Sequence, residues 1–159
     1  MSEQQKTKIP KICFVSSSGG HYLQLLKLKP LAEKYDGFFV SEKTRFKFHD
    51  HANYLMLQTD LKDPLMAFKM LWNAFYSLFI WFKEKPDFVV TTGTMIALPF
   101  CLLCHFSKNK KFVYIESFSR IYDGTKAGKF MYKYADLFLI QWQTLKKIYP
   151  KAVYGGKLY

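Results

Sequence analysis

Short apolar runs rich in strand formers alternate along this chain with segments whose apolar residues recur at helical spacing. KICFVSS (11–17) is the first run, and it gives way to SSSGGH. Leu23, Leu25, Leu26, Leu28 and Leu31 then predict a helix over 21–34. FFVSEK (38–43), entered through a turn at Asp36-Gly37, and YLMLQT (54–59) predict the second and third strands. A long helix is predicted over 65–84 and is closed by Pro86-Asp87. FVVTTG (88–93) reads as a buried strand running into a second glycine turn, with a helix over 95–106 that carries Pro99 in its first turn. KFVYIES (111–117) is a further strand, 118–135 a loop and helix, DLFLIQW (136–142) a strand, 144–150 a short helix and 152–154 a last short strand.

This alternation predicts an α/β fold with a Rossmann-like parallel sheet and helices on both faces. The 159 residues fit one domain, with 1–10 flexible and 155–159 a tail beyond a Gly155-Gly156 hinge. In the long helix Lys69, Asn73 and Ser77 recur every four residues, a polar stripe that argues for an amphipathic helix and against a membrane span. Trp72, Phe75, Phe79 and Trp81 stand beside Lys69 and Lys83. Rings next to lysines suit contact with anionic lipid, here through Lys69, Trp72, Phe75 and Phe79. The competing reading packs the same rings into the core.

Half of the residues are hydrophobic and 19% aromatic, which excludes global disorder. The formal net charge of +12 favours a polyanionic partner: nucleic acid, anionic lipid or a phosphorylated substrate. A basic surface that merely solubilises is the plainer alternative. The basic residues do not cluster with aromatics in a nucleic-acid reading motif, so no nucleic acid is expected. Cys13, Cys101 and Cys104 sit in apolar runs. The Cys101–Cys104 spacing lacks the second pair a zinc site needs, so buried free thiols and no metal are expected. The N-terminus lacks a signal-peptide core.

In a parallel α/β sheet, function gathers at the C-terminal strand ends. SSSGGH, TTGT and ESFSR follow three strands and are expected to meet on one edge. Gly19 and Gly20 let backbone amides approach a phosphate at a helix start, although an ordinary strand-helix turn capped by serines has the same residues. His21 suits a general base or a cationic clamp, against plain packing in a first helical turn. Thr91, Thr92 and Gly93 repeat the turn. Glu116 either pairs with Arg120 to aim a cation at a diphosphate, acts as a base, or forms a structural ion pair. His49 and His51 lie in a polar loop without a third ligand and read as surface residues.

SSSGGH after a first strand, PDFVVTTG, YIESFSR and ADLFLIQW, in this order, resemble the membrane-anchoring subunit of the split N-acetylglucosaminyltransferase that extends dolichol-linked oligosaccharides. Relatives of that subunit occur in bacterial capsule and exopolysaccharide clusters. The resemblance covers about residues 11–156. It implies the N-terminal half of a GT-B glycosyltransferase, with the donor-binding half a separate protein that this subunit recruits to the membrane. Ser18, Gly19, Gly20 and His21 fall on the acceptor-diphosphate loop, and Thr91, Thr92 and Gly93 on the second glycine loop of that site. Glu116, Ser117 and Arg120 fall on the third segment, with His21 and Glu116 as candidate catalytic groups. The tail, Tyr154, Gly155, Gly156 and Tyr159, falls on the partner contact. Sugar would move from a nucleotide donor, a UDP-sugar bound through the partner, to a polyprenyl-diphosphate-linked acceptor, with no cofactor held by this chain. The N-terminal anchor of eukaryotic members is missing, which implies peripheral attachment to the cytoplasmic face of the membrane. A non-catalytic membrane scaffold for the partner and, from another class, a basic nucleic-acid-binding domain are the alternatives.

Overall fold

The computed structural model describes residues 9–44, 51–60 and 62–158. Strands β1 Lys11–Val15, β2 Asp36–Lys43, β3 Tyr54–Leu57, β4 Phe88–Thr91, β5 Lys111–Ile115, β6 Leu137–Ile140 and β7 Val153–Tyr154 form one sheet in the order β3-β2-β1-β4-β5-β6-β7. Every neighbouring pair is parallel. The chain starts at the centre, winds outward to β3, and crosses back to β4. The switch point therefore lies between β1 and β4, where Val15 stands opposite Thr91.

Five strands end two residues earlier than their apolar runs suggest. Ser16-Ser17, Gln58-Thr59, Thr92-Gly93, Glu116-Ser117 and Gln141-Trp142 leave the sheet's ladder and form its polar rim. The helices are α1 Gly20–Leu26, α2 Lys29–Lys34, α3 Met66–Glu84, α4 Leu98–Phe106 and α5 Lys126–Met131. The single helix expected over 21–34 is two helices, because Pro30 in the first turn of α2 has no N–H to continue the α1 ladder. Asp36-Gly37 is not a turn but the start of β2. A Cβ on Gly37 would lie 2.6 Å from the Ala32 Cα, so glycine lets α2 close onto the sheet. A 3-10 turn, Met95–Ala97, leads into α4, and 144–150 is replaced by a 3-10 turn at Gln143–Lys147.

Alternate strand residues divide between two cores. Cys13, Val15, Val89, Phe112, Tyr114 and Phe138 pack under α3, α4 and α5. Ile12, Phe14, Phe39 and Val90 pack under α1 and α2, with Phe14 stacked on Phe39 at 5.1 Å. On that second face no described helix covers β5 to β7. Leu137 and Val153 stay exposed there, as does Phe88 at the start of β4, and Leu158 is partly buried beside Val113 and Leu139.

The polar stripe of α3 faces inward. Asn73 and Ser77 are buried. The Asn73 amide donates to the Leu57 carbonyl at 2.8 Å and accepts from the Leu57 N–H at 2.9 Å, as a further strand would. Trp81 is buried, whereas Phe68, Leu71, Trp72, Phe75, Phe79 and Phe82 face outward. Core packing is thereby ruled out for Trp72, Phe75 and Phe79.

Candidate functional site

The loops after β1 and β4 are stitched together at the switch point. The His21 Nδ1 lies 2.8 Å from the Thr92 carbonyl oxygen, and the Thr92 hydroxyl donates to the His21 carbonyl at 2.7 Å. Because a carbonyl only accepts, Nδ1 carries a hydrogen, and in the neutral ring the lone pair is then on Nε2. The Ser17 N–H donates to the Thr94 hydroxyl at 3.1 Å, and the Gly93 N–H to the Thr91 hydroxyl at 3.0 Å. Gly19, Gly93 and Thr94 all have positive φ, at 80°, 113° and 84°. For Thr94 that conformation costs on the order of 1–3 kcal/mol, the kind of strain that collects at ligand-binding turns. A Cβ on Gly93 would stand 3.0 Å from the Tyr114 hydroxyl and 3.4 Å from the His21 ring, so glycine also seats the histidine. Ser18 and Gly20 complete the first loop, and α1 begins at Gly20 with no side-chain cap on its first amides.

The third segment behaves differently. The expected Glu116–Arg120 pair is not formed: Arg120 binds Asp123 at 3.0 Å on the surface. Glu116 is fully buried and accepts from the Tyr149 hydroxyl at 2.7 Å, the Thr125 hydroxyl at 3.0 Å, and the N–H groups of Ser117 at 2.9 Å and Thr125 at 3.2 Å. Its own carbonyl accepts from Gln141 at 2.9 Å. Thr125 caps α5 by accepting from the Gly128 N–H at 2.9 Å. The carboxylate thus ties the loop after β5 to α5 and to Tyr149. Ser117 sits beside it with its hydroxyl 3.0 Å from that of Ser119.

Sequence reasoning missed the other wall of the site. A cleft of about 440 Å³ opens beside Ser17 and Ser18, bordered by Glu42, Thr59, Thr94 and Lys126. Glu42 is buried, and burial raises its carboxyl above the usual range against opposing hydrogen bonds from Thr59. The readable signal was a carboxylate next to the end of an otherwise apolar strand, FFVSEK. His49 lies outside the described residues; His51 is exposed, and His105 packs against Phe106 and Tyr134. The three cysteines are free and buried, with Cys101 and Cys104 pushed up to about 12 by burial.

On α3, Lys69 pairs with Asp63, and the Lys83 ammonium lies 5.7 Å from the Phe79 ring centre. Phe75 is 63% and Phe79 53% exposed. Among the described residues no helix is long and apolar enough to cross a membrane. The chain does not trail away after Tyr154. Gly156, at φ 77°, turns it back, the Leu158 N–H donates to Gln141 at 2.8 Å, and Lys157 lies over the Trp142 ring at 4.6 Å. Tyr159 lies outside the described residues.

The family described as "Oligosaccharide biosynthesis protein Alg14 like" matches residues 61–158. The UDP-N-acetylglucosamine transferase subunit ALG14 of Rattus norvegicus is 35% identical over 92% of this chain and 82% of its own length. The Homo sapiens subunit is 27% identical with the same coverage. Among solved structures, Acinetobacter baumannii MurG has a TM-score of 0.66 at 14% identity, covering 85% of this chain and 42% of that one. A UDP-N-acetylglucosamine 2-epimerase has a TM-score of 0.70 at 15% identity, covering 91% and 45%. These two likenesses are of fold, and this chain spans less than half of each structure.

Proposed function

The chain belongs to the Alg14-like oligosaccharide biosynthesis family, and from that premise we propose that it is the acceptor-side subunit of a two-component glycosyltransferase. It holds a polyprenyl-diphosphate-linked glycan at the cytoplasmic face of a membrane and recruits a donor-binding partner. The observation that carries this reading is the stitched pair of glycine loops at the switch point, with a histidine nitrogen unspent between them. Ser18, Gly19 and Gly20 bind the diphosphate through the Ser18 hydroxyl and main-chain amides. Thr91, Thr92 and Gly93, whose hydroxyls and amide are engaged within the loops, shape the second glycine loop of that site, and Ser117 and Arg120 belong to its third segment. His21 takes the proton from the acceptor hydroxyl as that oxygen bonds to the donor's anomeric carbon and UDP departs with the electron pair. The UDP-sugar comes through the partner.

Lys69, Trp72, Phe75 and Phe79 make the membrane contact; the outward rings of α3 support it. Tyr154, Gly155 and Gly156, close to the sheet face that no described helix covers, meet the partner together with Tyr159. Glu116, spent on four internal donors, serves to position its loop.

The test is sugar transfer to a polyprenyl-diphosphate glycan by this chain, by the donor-binding partner, and by both together. Activity only with both supports the reading; activity with this chain alone overturns it. A scaffold without a catalytic role is favoured by the sequestration of Glu116, and it predicts that loop substitutions matter only when they disturb assembly.

A further inference from the structure

Between α3 and α4 lies a cavity of about 300 Å³, walled by Met70, Ala74, Leu78, Ile96, Leu102 and Leu103. Its volume falls at the lower end of small-ligand sites, about 300–1,000 Å³. The two polar residues at its border are already engaged within the chain. Asn73 uses both ends of its amide on the Leu57 main chain, and the Thr59 hydroxyl donates to Glu42. A cavity lined mainly by apolar side chains, with its few polar groups engaged elsewhere, favours an apolar guest.

The position of the cavity narrows that guest further. Thr59 and Met95 border both this cavity and the cleft that holds Ser17, Ser18, Thr94 and Lys126. The apolar chamber thus adjoins a cleft that contains part of the first glycine loop and a lysine. On its other side α3 bears the exposed rings. We infer that the cavity takes the isoprenoid chain of a prenyl diphosphate at the end nearest its phosphates, while the two glycine loops hold the phosphates themselves. This assignment rests on the acceptor reading above. It gives α3 and α4 a role in choosing the lipid in addition to touching the bilayer.

The experiment titrates the full chain with inorganic diphosphate and with farnesyl diphosphate. Farnesyl diphosphate is expected to bind at least about tenfold more tightly, as burial of several methylene groups requires. Ala74→Trp and Leu102→Trp, which fill the cavity from opposite walls, should erase that gain and leave inorganic diphosphate binding unchanged. Equal affinities in the parent chain, or a gain that survives in both folded variants, would overturn the inference while leaving the acceptor reading intact. If lysophosphatidic acid displaces farnesyl diphosphate at equal concentration, the cavity belongs to a membrane phospholipid and the inference fails. Should the filled variants not fold, a photoreactive farnesyl diphosphate decides on the parent chain: label within 70–78 and 95–103 supports the site, and label elsewhere refutes it. If neither diphosphate binds, the acceptor reading is what fails. Photoreactive farnesol then tests the cavity by itself, with label on the same two segments in support and label elsewhere, or none, against.

Discussion

His21 and Thr92 exchange hydrogen bonds across the switch point of the sheet, ring to carbonyl at 2.8 Å and hydroxyl to carbonyl at 2.7 Å. The exchange fixes the imidazole through Nδ1. His21→Ala should lower transfer by the reconstituted pair about 10²–10⁴-fold at saturating acceptor. Undiminished turnover would remove His21 from the chemistry. Thr92→Val keeps the carbonyl that orients the ring and loses only the hydroxyl, so it should cost about 1 kcal/mol of stability in urea unfolding and much less activity.

Glu116 is predicted to act on stability first. Tyr149→Phe removes one donor to a buried charge and should cost about 1.5–3 kcal/mol in urea unfolding. Gly128→Ala would set a Cβ 2.3 Å from the Glu116 carboxylate and should do more damage. A Tyr149→Phe chain as stable as its parent would contradict the positioning role.

Phe75→Ser and Phe79→Ser should leave the circular dichroism spectrum unchanged, because both rings face outward. Each should weaken binding to anionic phospholipid vesicles by about tenfold or more. Added salt should weaken it further through the basic surface. Vesicle binding that ignores both substitutions would move the membrane contact elsewhere.

Burial holds the Glu42 carboxyl above its ordinary 4.5. The folded chain then keeps this proton longer than the unfolded chain. The contribution of Glu42 is fullest below the unfolded value and is lost as pH rises through the folded one. Glu84 works in the opposite direction, held low by hydrogen bonds from Lys11 and Tyr54. The comparison that isolates Glu42 is therefore with Glu42→Gln. The urea midpoint of the variant should gain on the parent as pH rises through and above the ordinary carboxyl range; a constant gap would refute this.

Cys101 and Cys104 should resist thiol reagents near pH 8 until the chain unfolds, since burial pushes both thiols up to about 12. Mass spectrometry of the native labelling reaction checks this, and rapid modification would mean that α4 opens readily.

The order and type of the larger elements were legible because parallel strands buried on both faces appear as unbroken apolar runs. Strand ends were not: Ser16 and Glu116 extend such runs in composition and give one last N–H to a neighbouring strand before the chain leaves the sheet, while Thr92 already bonds to the loop at His21. The glycine loops stood out by residue type. Glu42 did not, because its burial comes from Thr59 and the chain after β3, contacts that no local pattern displays. The Glu116–Arg120 pairing failed for a similar reason, since Tyr149 reaches the carboxylate from 33 positions away. The stripe Lys69, Asn73, Ser77 was seen correctly as a stripe. Its direction depended on Leu57, whose main chain at the sheet edge takes the Asn73 amide.

That amide pairing keys α3 like a shaft in its slot. The arc of rings turned outward follows from the bond of Asn73 to an edge strand rather than from greasiness alone. A more hydrophobic residue at 73 would free the rotation of the helix, so a chain made oilier there would hold its outward rings less faithfully. The same amide occupies the outer edge of β3 at Leu57, where a stray strand would otherwise pair, so the outward setting of the rings and cover for part of the sheet edge share one side chain.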